Sequence, residues 1–254
     1  MVRPSHQLPC NPNFRGVSVI SVLTAIAIIP SAPVLVPELA GAAAAEIADL
    51  REAVLQAAAT LPQRWIAIGV GAAASCSGPD AAGTFAGFGV DVPVALSPRP
   101  QPVTELPLCA LITGWVRGQV QPGADAQVRC YVDGAGVGAG VDDAGAAGRA
   151  LRAELDADAE PVGILIVADG CHTLTPSAPG GYEPANIAVQ NDLDNALGRG
   201  DVRRLAALSA SVAVVGRAAF GVLAGLTEPA PRSAKQLYRG APYGVGYFAG
   251  VWQP

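Results

Sequence analysis

Apolar runs divided by amphipathic stretches give the outline of this chain. Val22–Ile29 is a continuous apolar run that stops at Pro30, and Val162–Ala168 (VGILIVA) is another. Runs of that length, rich in Ile and Val, predict strands buried on both faces of a sheet. Arg64–Val70 reads the same way, and Gln127–Val132 alternates well enough for a strand. Between them, Ala42–Thr60 places Ile47, Leu50 and Val54 on one face, with Glu46, Asp49, Arg51 and Glu52 mostly off it. That spacing predicts an amphipathic helix, stopped before Pro62. Asp142–Leu155 is a second helix, with Asp142 or Asp143 as its cap, and Pro184–Leu197 a third. Asp201–Leu208, capped by Asp201, and Ala218–Leu226 are further helices, and Leu108–Val116 suits a helix or a strand. Ala72–Gly89 reads as loop, and the prolines of Val90–Pro107 exclude any long element there. Val212–Val215 suits a short strand, and Tyr238–Trp252 closes the chain with glycines among aromatics. Strands alternating with helices predict one α/β domain: a central, mostly parallel sheet flanked by helices.

The first residues admit more than one reading. Residues 1–16 are polar, proline-bearing and without periodicity, and are expected to form a disordered leader before a domain spanning 17–254. Val17–Val36 is almost wholly apolar behind Arg3 and Arg15, the profile of a signal peptide. As a membrane span it is broken by Pro30 and Pro33. As a buried first strand, Val22–Ile29, it ends in a Pro-rich loop, and the widely spaced cysteines downstream favour this expectation over export.

Charge and cysteine usage narrow the function. The net charge is -5 with 15% charged residues, which disfavours nucleic acid and anionic membranes as partners. The five cysteines, Cys10, Cys76, Cys109, Cys130 and Cys171, are widely spaced with no CxxC. Free thiols in a reducing, cytoplasmic setting are therefore expected, without a disulfide framework or zinc ribbon. Only His6 and His172 are histidines, so one chain cannot supply a three-His metal site. Gly134–Gly140 fits a dinucleotide fingerprint in spacing, but Asp133, Asp142 and Asp143 would repel a pyrophosphate there. A serine hydrolase stays open in principle, yet nothing singles out a serine.

The informative segment runs from Ile164 to Pro184. A buried strand emerges into Asp169, Cys171 and His172, then into a Pro/Gly loop, and ligands of open α/β sheets bind where strands end in this way. The run ADGCHTLTPSAPGGYEPANIAVQNDLDNAL resembles the D-L-S-H-x-L-T-x-x-A-P-x-G-Y-x-P segment of class III (LigB-type) extradiol ring-cleavage dioxygenases and their Memo-like relatives. Ile28–Glu38 resembles that family's H-x-P-L-L-I-P-E loop, Gly83–Gly89 its G-D-F-x-x-F-G, and Ala241–Tyr247 its closing A-P-F-G-V-G-Y.

This resemblance implies a LigB/Memo-like fold, with His172 as an acid–base residue. It also implies that the residues which would hold Fe(II) are replaced. Ser31 stands for the first histidine, Gly71 for the second, and Arg239–Gly240 for the carboxylate. The expectation is a homologue without metal or other cofactor that binds a small aromatic or polar molecule. His172 and Asp169 are its candidate catalytic residues, and Ser31, Cys171, Tyr182 and Tyr243 its candidate ligand-binding residues. The alternative is an active Fe(II)-dependent dioxygenase whose ligands are displaced or come from a partner in a homo- or hetero-oligomer. The leader reading carries its own test: removal of residues 1–16 should leave a soluble protein with an unchanged cooperative melt. Export with cleavage near Ala32 or Ala44 would show the apolar run to be a signal peptide.

Overall fold

Leu23–Ile29 (β1) is hydrogen-bonded on both sides, to one parallel and one antiparallel neighbour, which explains why all but one of its residues are buried. The structure, a computed structural model, describes residues 22–99, 102–133, 141–208, 211 and 213–254. The expected leader and the Gly134–Gly140 loop lie outside the described residues. After β1 come a short helix α1 (Pro37–Ala40) and α2 (Ala48–Ala58), then strands β2 (Arg64–Gly71), β3 (Ser75–Ser77), β4 (Ala82–Thr84) and β5 (Pro93–Ala95). Next follow α3 (Leu108–Val120), β6 (Asp125–Val132), α4 (Val141–Asp156) and β7 (Val162–Val167). The chain ends with α5 (Ala185–Arg199), α6 (Val202–Leu208), α7 (Arg217–Leu226), β8 (Ser233–Gly240) and β9 (Tyr247–Gln253).

The main sheet has the order β3-β6-β2-β7-β1-β9-β8. Its middle, β6-β2-β7-β1, is parallel, and β3, β9 and β8 each run antiparallel to their inner neighbours. This is an α/β architecture with a mostly parallel central sheet between helices, as the alternation of apolar runs predicts. Period-two alternation divides the core. Ala25, Ala27, Ile29, Leu165 and Val167 face the cluster that includes α2 and α3, while Ile26, Ile28, Ile164 and Ile166 face α4 to α7. Strands buried on both faces read as continuous hydrophobic runs for this reason. Among the described residues no helix is long and apolar enough to cross a membrane.

The differences from the sequence reading are local. The helix expected over 42–60 is interrupted: a single 3-10 turn (Gly41–Ala44) precedes α2, and the Arg51 side chain donates to the carbonyls of Ala44 and Leu35, holding that turn against the sheet end. Leu108–Val120 is a helix, buried through Cys109–Arg117, so its apolar run reflects burial on all sides. The segment expected to be loop over 72–89 contains β3 and β4, both short strands. Of the segment expected to be a strand over 212–215, the described residues 213–215 form one isolated bridge, Val214 to Cys171. Asp201 does cap α6, accepting the Arg204 N–H at 3.0 Å.

Helices α4 and α7 approach closely enough that their backbones touch. A Cβ at Gly148 would lie 2.2 Å from the Val222 carbonyl oxygen, and one at Gly225 would lie 2.0 Å from that of Gly145. These glycines set the distance between the two helices. Gly225→Leu should therefore push the helices apart and lower stability by about 1–3 kcal/mol or more, read as an earlier urea midpoint. An unchanged midpoint would mean that the crossing is not tight.

Candidate functional site

The parallel strands β7 and β1 end side by side, with Ile29 level with Val167. Two residues further on, the Asp169 side chain crosses to β1 and accepts the Ser31 backbone N–H at 2.8 Å. The antiparallel β9 begins at this same end. Counting on from Ile28 opposite Gly250 brings Ser31 level with Tyr247. β8 ends here as well, with Gly240 paired to Tyr247. Residues from four chain segments thus meet at the carboxyl ends of the central parallel strands, where open α/β sheets bind ligands.

Burial raises the Asp169 carboxyl to about 7, partly offset by the Ser31 N–H. Tyr247 is buried, and both that burial and the neighbouring Asp169 carboxylate push its hydroxyl above the ordinary range. Tyr243 is half-buried and donates its hydroxyl to Glu46 at 3.1 Å. Tyr238 packs on the same side of the sheet, and burial and Asp49 raise its hydroxyl. A carboxyl that gains and loses its proton near neutrality, beside the buried Tyr247, can accept a hydrogen bond or a proton from a hydroxylated ligand.

The remaining sequence candidates are placed as follows. His172 is half-buried and its carbonyl accepts the Gly180 N–H at 3.0 Å. Its ring lies over Gly180, where a Cβ would be 2.5 Å from Nε2, and its Nδ1 is buried with no hydrogen-bond partner. Such an unmatched buried nitrogen is uncommon and costs stability unless a ligand or water meets it. Cys171 packs with the cluster on the α4 to α7 face, away from Tyr247. Burial, with a smaller push from Asp194, raises its thiol to about 11, so it is protonated at neutral pH. Tyr182 is 50% exposed on the loop beyond His172.

The loop bearing Asp169 and His172 is held by residues the sequence reading passed over. The Gly170 N–H donates to Gly246, the Gly246 N–H to Cys171, and Leu174 to Gly244. Gln190 of α5 accepts the Cys171 N–H and donates to Asp194, both at 2.8 Å. A Cβ at Gly170 or at Gly246 would lie 2.1 Å from the Gln190 Oε1, so both glycines are needed for the amide to enter. The glycines of the closing motif hinted at this close approach. Nothing in the sequence marked Gln190. Tyr247 was visible only as the last residue of that motif.

The three positions that the sequence resemblance sets against iron ligands do not fit an iron. Ser31 presents its backbone N–H to Asp169. The place of a Gly71 side chain is filled by the Cys130 sulfur, which a Cβ would meet at 2.7 Å. That of Gly240 is filled by the Tyr238 hydroxyl at 2.6 Å, and Arg239 turns to Asn195 of α5. Among the described residues no group of three His, Cys, Asp or Glu is arranged to hold a metal.

A concavity of about 590 Å³ opens at the opposite end of the sheet from Asp169, beside Gln63, Arg64, Asp125 and Glu160. Its charges are already matched, Arg64 to Asp158 at 2.7 Å and Asp125 to Arg99 at 3.3 Å.

No family model and no curated protein matches this sequence. A solved structure of an uncharacterized protein from Escherichia coli K12 is similar, with a TM-score of 0.53 at 10% identity, covering 91% of this chain and 100% of that one. At such identity the likeness is one of fold.

The raised Asp169 carboxyl gives stability a pH dependence of definite sign. The folded state keeps a proton up to about 7, whereas the unfolded carboxyl loses it near 3.8. Folding stability therefore falls as pH rises between those values and levels off above them. Asp194, raised to about 6 mainly by burial, acts in the same direction. Urea unfolding should show a weaker protein at about pH 8 than at about pH 5, with a smaller difference in Asp169→Asn. An Asp169→Asn variant with an undiminished slope would remove Asp169 as its source.

Proposed function

We propose that this chain is a LigB/Memo-like scaffold that binds a small hydroxylated aromatic or polar molecule through its own side chains in place of iron. The observation that carries the reading is Asp169. Its carboxyl, bonded to the Ser31 N–H and beside Tyr247, stands where strand ends converge and titrates near neutral pH. A ligand hydroxyl would donate to Asp169, and the rings of Tyr238, Tyr243 and Tyr247 supply apolar area and dipoles around it. The buried, unpartnered Nδ1 of His172 would be a second polar group for a ligand that reached it, as acceptor or donor according to its tautomer. The sequence motif around His172 supports descent from the dioxygenase scaffold. The filled positions at Gly71 and Gly240 support the loss of its iron.

The test is a binding screen of catechols and hydroxybenzoates by thermal shift and ligand-detected NMR, without added metal. A hit should weaken by about tenfold or more in Asp169→Asn, the loss of one charge-assisted hydrogen bond. Oxygen-dependent ring opening after anaerobic loading with Fe(II) would overturn the reading in favour of an active dioxygenase. Binding unaffected by Asp169→Asn and His172→Ala would place the site elsewhere.

A further inference from the structure

Two buried cysteines meet beneath the end of β2, and the ligand site described above uses neither. Cys109 lies in the first turn of α3 and Cys130 near the end of β6, and both belong to the core cluster on the α2 and α3 face. Cys130 is the register partner of Gly69 on the adjoining parallel strand. Adjacent strands stand about 4.8 Å apart, so Cys130 flanks Gly69 directly. Cys109 approaches Gly69 from above the sheet: a Cβ there would lie 2.3 Å from the Cys109 Cβ and 2.9 Å from its sulfur. Gly71 leaves the next space on the same face, and the Cys130 sulfur occupies it. The two missing side chains at 69 and 71 therefore form one slot in the sheet surface that holds both sulfurs. An alanine at either position would displace one of them. All four described cysteines, these two included, are free thiols.

We propose that Cys109 and Cys130 are a peroxide-sensitive dithiol, with Cys130 as the attacking thiol and Cys109 as the resolving one. The Cys130 sulfur attacks one peroxide oxygen. An S–O bond forms, the O–O bond breaks, and the departing hydroxide takes up the thiol proton as water. The Cys109 sulfur then attacks the sulfenic sulfur. The S–S bond forms, the S–O bond breaks, and a second water leaves with the Cys109 proton. Two thiols are oxidised and one peroxide is reduced to two waters, so no other co-reactant is needed.

The assignment of roles follows from the surroundings. The neighbouring Cys109 thiol lowers that of Cys130 against the effect of burial, and Ser75 contributes in the same direction. Cys130 in turn raises Cys109, and burial adds to that. Thiolate character selects the attacking sulfur. The exposed segment Ala72–Ser75 is built of small residues, and its Ser75 is the register partner of Cys130, which sets Cys130 nearer the exposed edge of the sheet than the fully buried Cys109. Cys171 is on the other side of the sheet with its thiol raised, and Cys76 is exposed on the edge strand. Among the described residues neither has a second cysteine in the same cluster.

The experiment uses the full chain carrying Cys76→Ser, treated with hydrogen peroxide and mapped by mass spectrometry with and without reductant. The expected product is an intramolecular Cys109–Cys130 disulfide, reversed by dithiothreitol, with Cys171 still reduced. Cys109→Ser should instead accumulate a Cys130 sulfenic acid that dimedone traps. Cys130→Ser should slow peroxide-dependent thiol loss on the order of tenfold, from the difference in thiolate fraction. Should either serine variant fail to fold, iodoacetamide labelling of the Cys76→Ser protein gives an independent reading. Cys130 should then be alkylated ahead of Cys171 and Cys109 at neutral pH. Thiols untouched by excess peroxide, oxidation confined to Cys171, or Cys130 labelled no faster than Cys171 would each overturn the proposal.

Discussion

The hydrogen bond from the Ser31 N–H to Asp169 joins two chain segments 138 residues apart at the point where the parallel β1–β7 ladder ends. Beyond Ile29 the chain has no further ladder partner on that side, and an unpaired backbone N–H at a buried sheet end costs free energy comparable to a lost hydrogen bond. The Asp169 carboxylate supplies the missing acceptor. It is then held where solvent cannot stabilise its charge well, and its proton affinity rises. The bond that finishes the sheet is thus also what poises the site. It keeps the carboxylate beside Tyr247 and fixes the exit direction of both loops.

The rest of this end of the molecule follows from keeping that junction closed. The loop after β7 runs as an irregular strand between the approach to β9 and Val214, exchanging backbone bonds with Gly244, Gly246 and Val215. Gln190 seals it from the α5 side, and the glycines opposite it are the condition for that seal. At the end of β6, Asp133 accepts the Ala218 N–H at 2.9 Å near the start of α7. That carboxylate, which argued against a phosphate site when read in sequence, is engaged in binding a helix N-terminus. The helix dipole favours a negative charge there.

The legibility of this chain divides along physical lines. Strands with both faces covered must be apolar throughout, so β1, β2 and β7 stood out, and their alternation with helices gave the architecture. The apolar run of α3 was ambiguous because a helix buried on all sides has no polar stripe to reveal its period. The edge strands β3, β4 and β5 are three residues each, too short to carry a pattern. Of the candidate site, the positions of Asp169, His172 and Ser31 at strand ends were legible because strand ends are marked by apolar runs meeting Pro and Gly. Tyr247 and Gln190 were not, since their roles depend on contacts across the sheet order.

A long-range juxtaposition can still leave a trace in the sequence, and the trace here is glycine. Gly69 and Gly71 interrupt an otherwise bulky strand, in a position where β-branched residues pack best. Removing side chains from a central strand sacrifices buried apolar area, of order 25 cal/mol for each Å² lost, unless something else fills the space. At Gly69 and Gly71 the filler is sulfur from α3 and β6. At Gly170 and Gly246 it is the Gln190 amide, and at Gly148 and Gly225 the backbone of a facing helix. The same residue type thus serves three kinds of close contact. Which of them a given glycine makes depends on the neighbour that the topology brings to it.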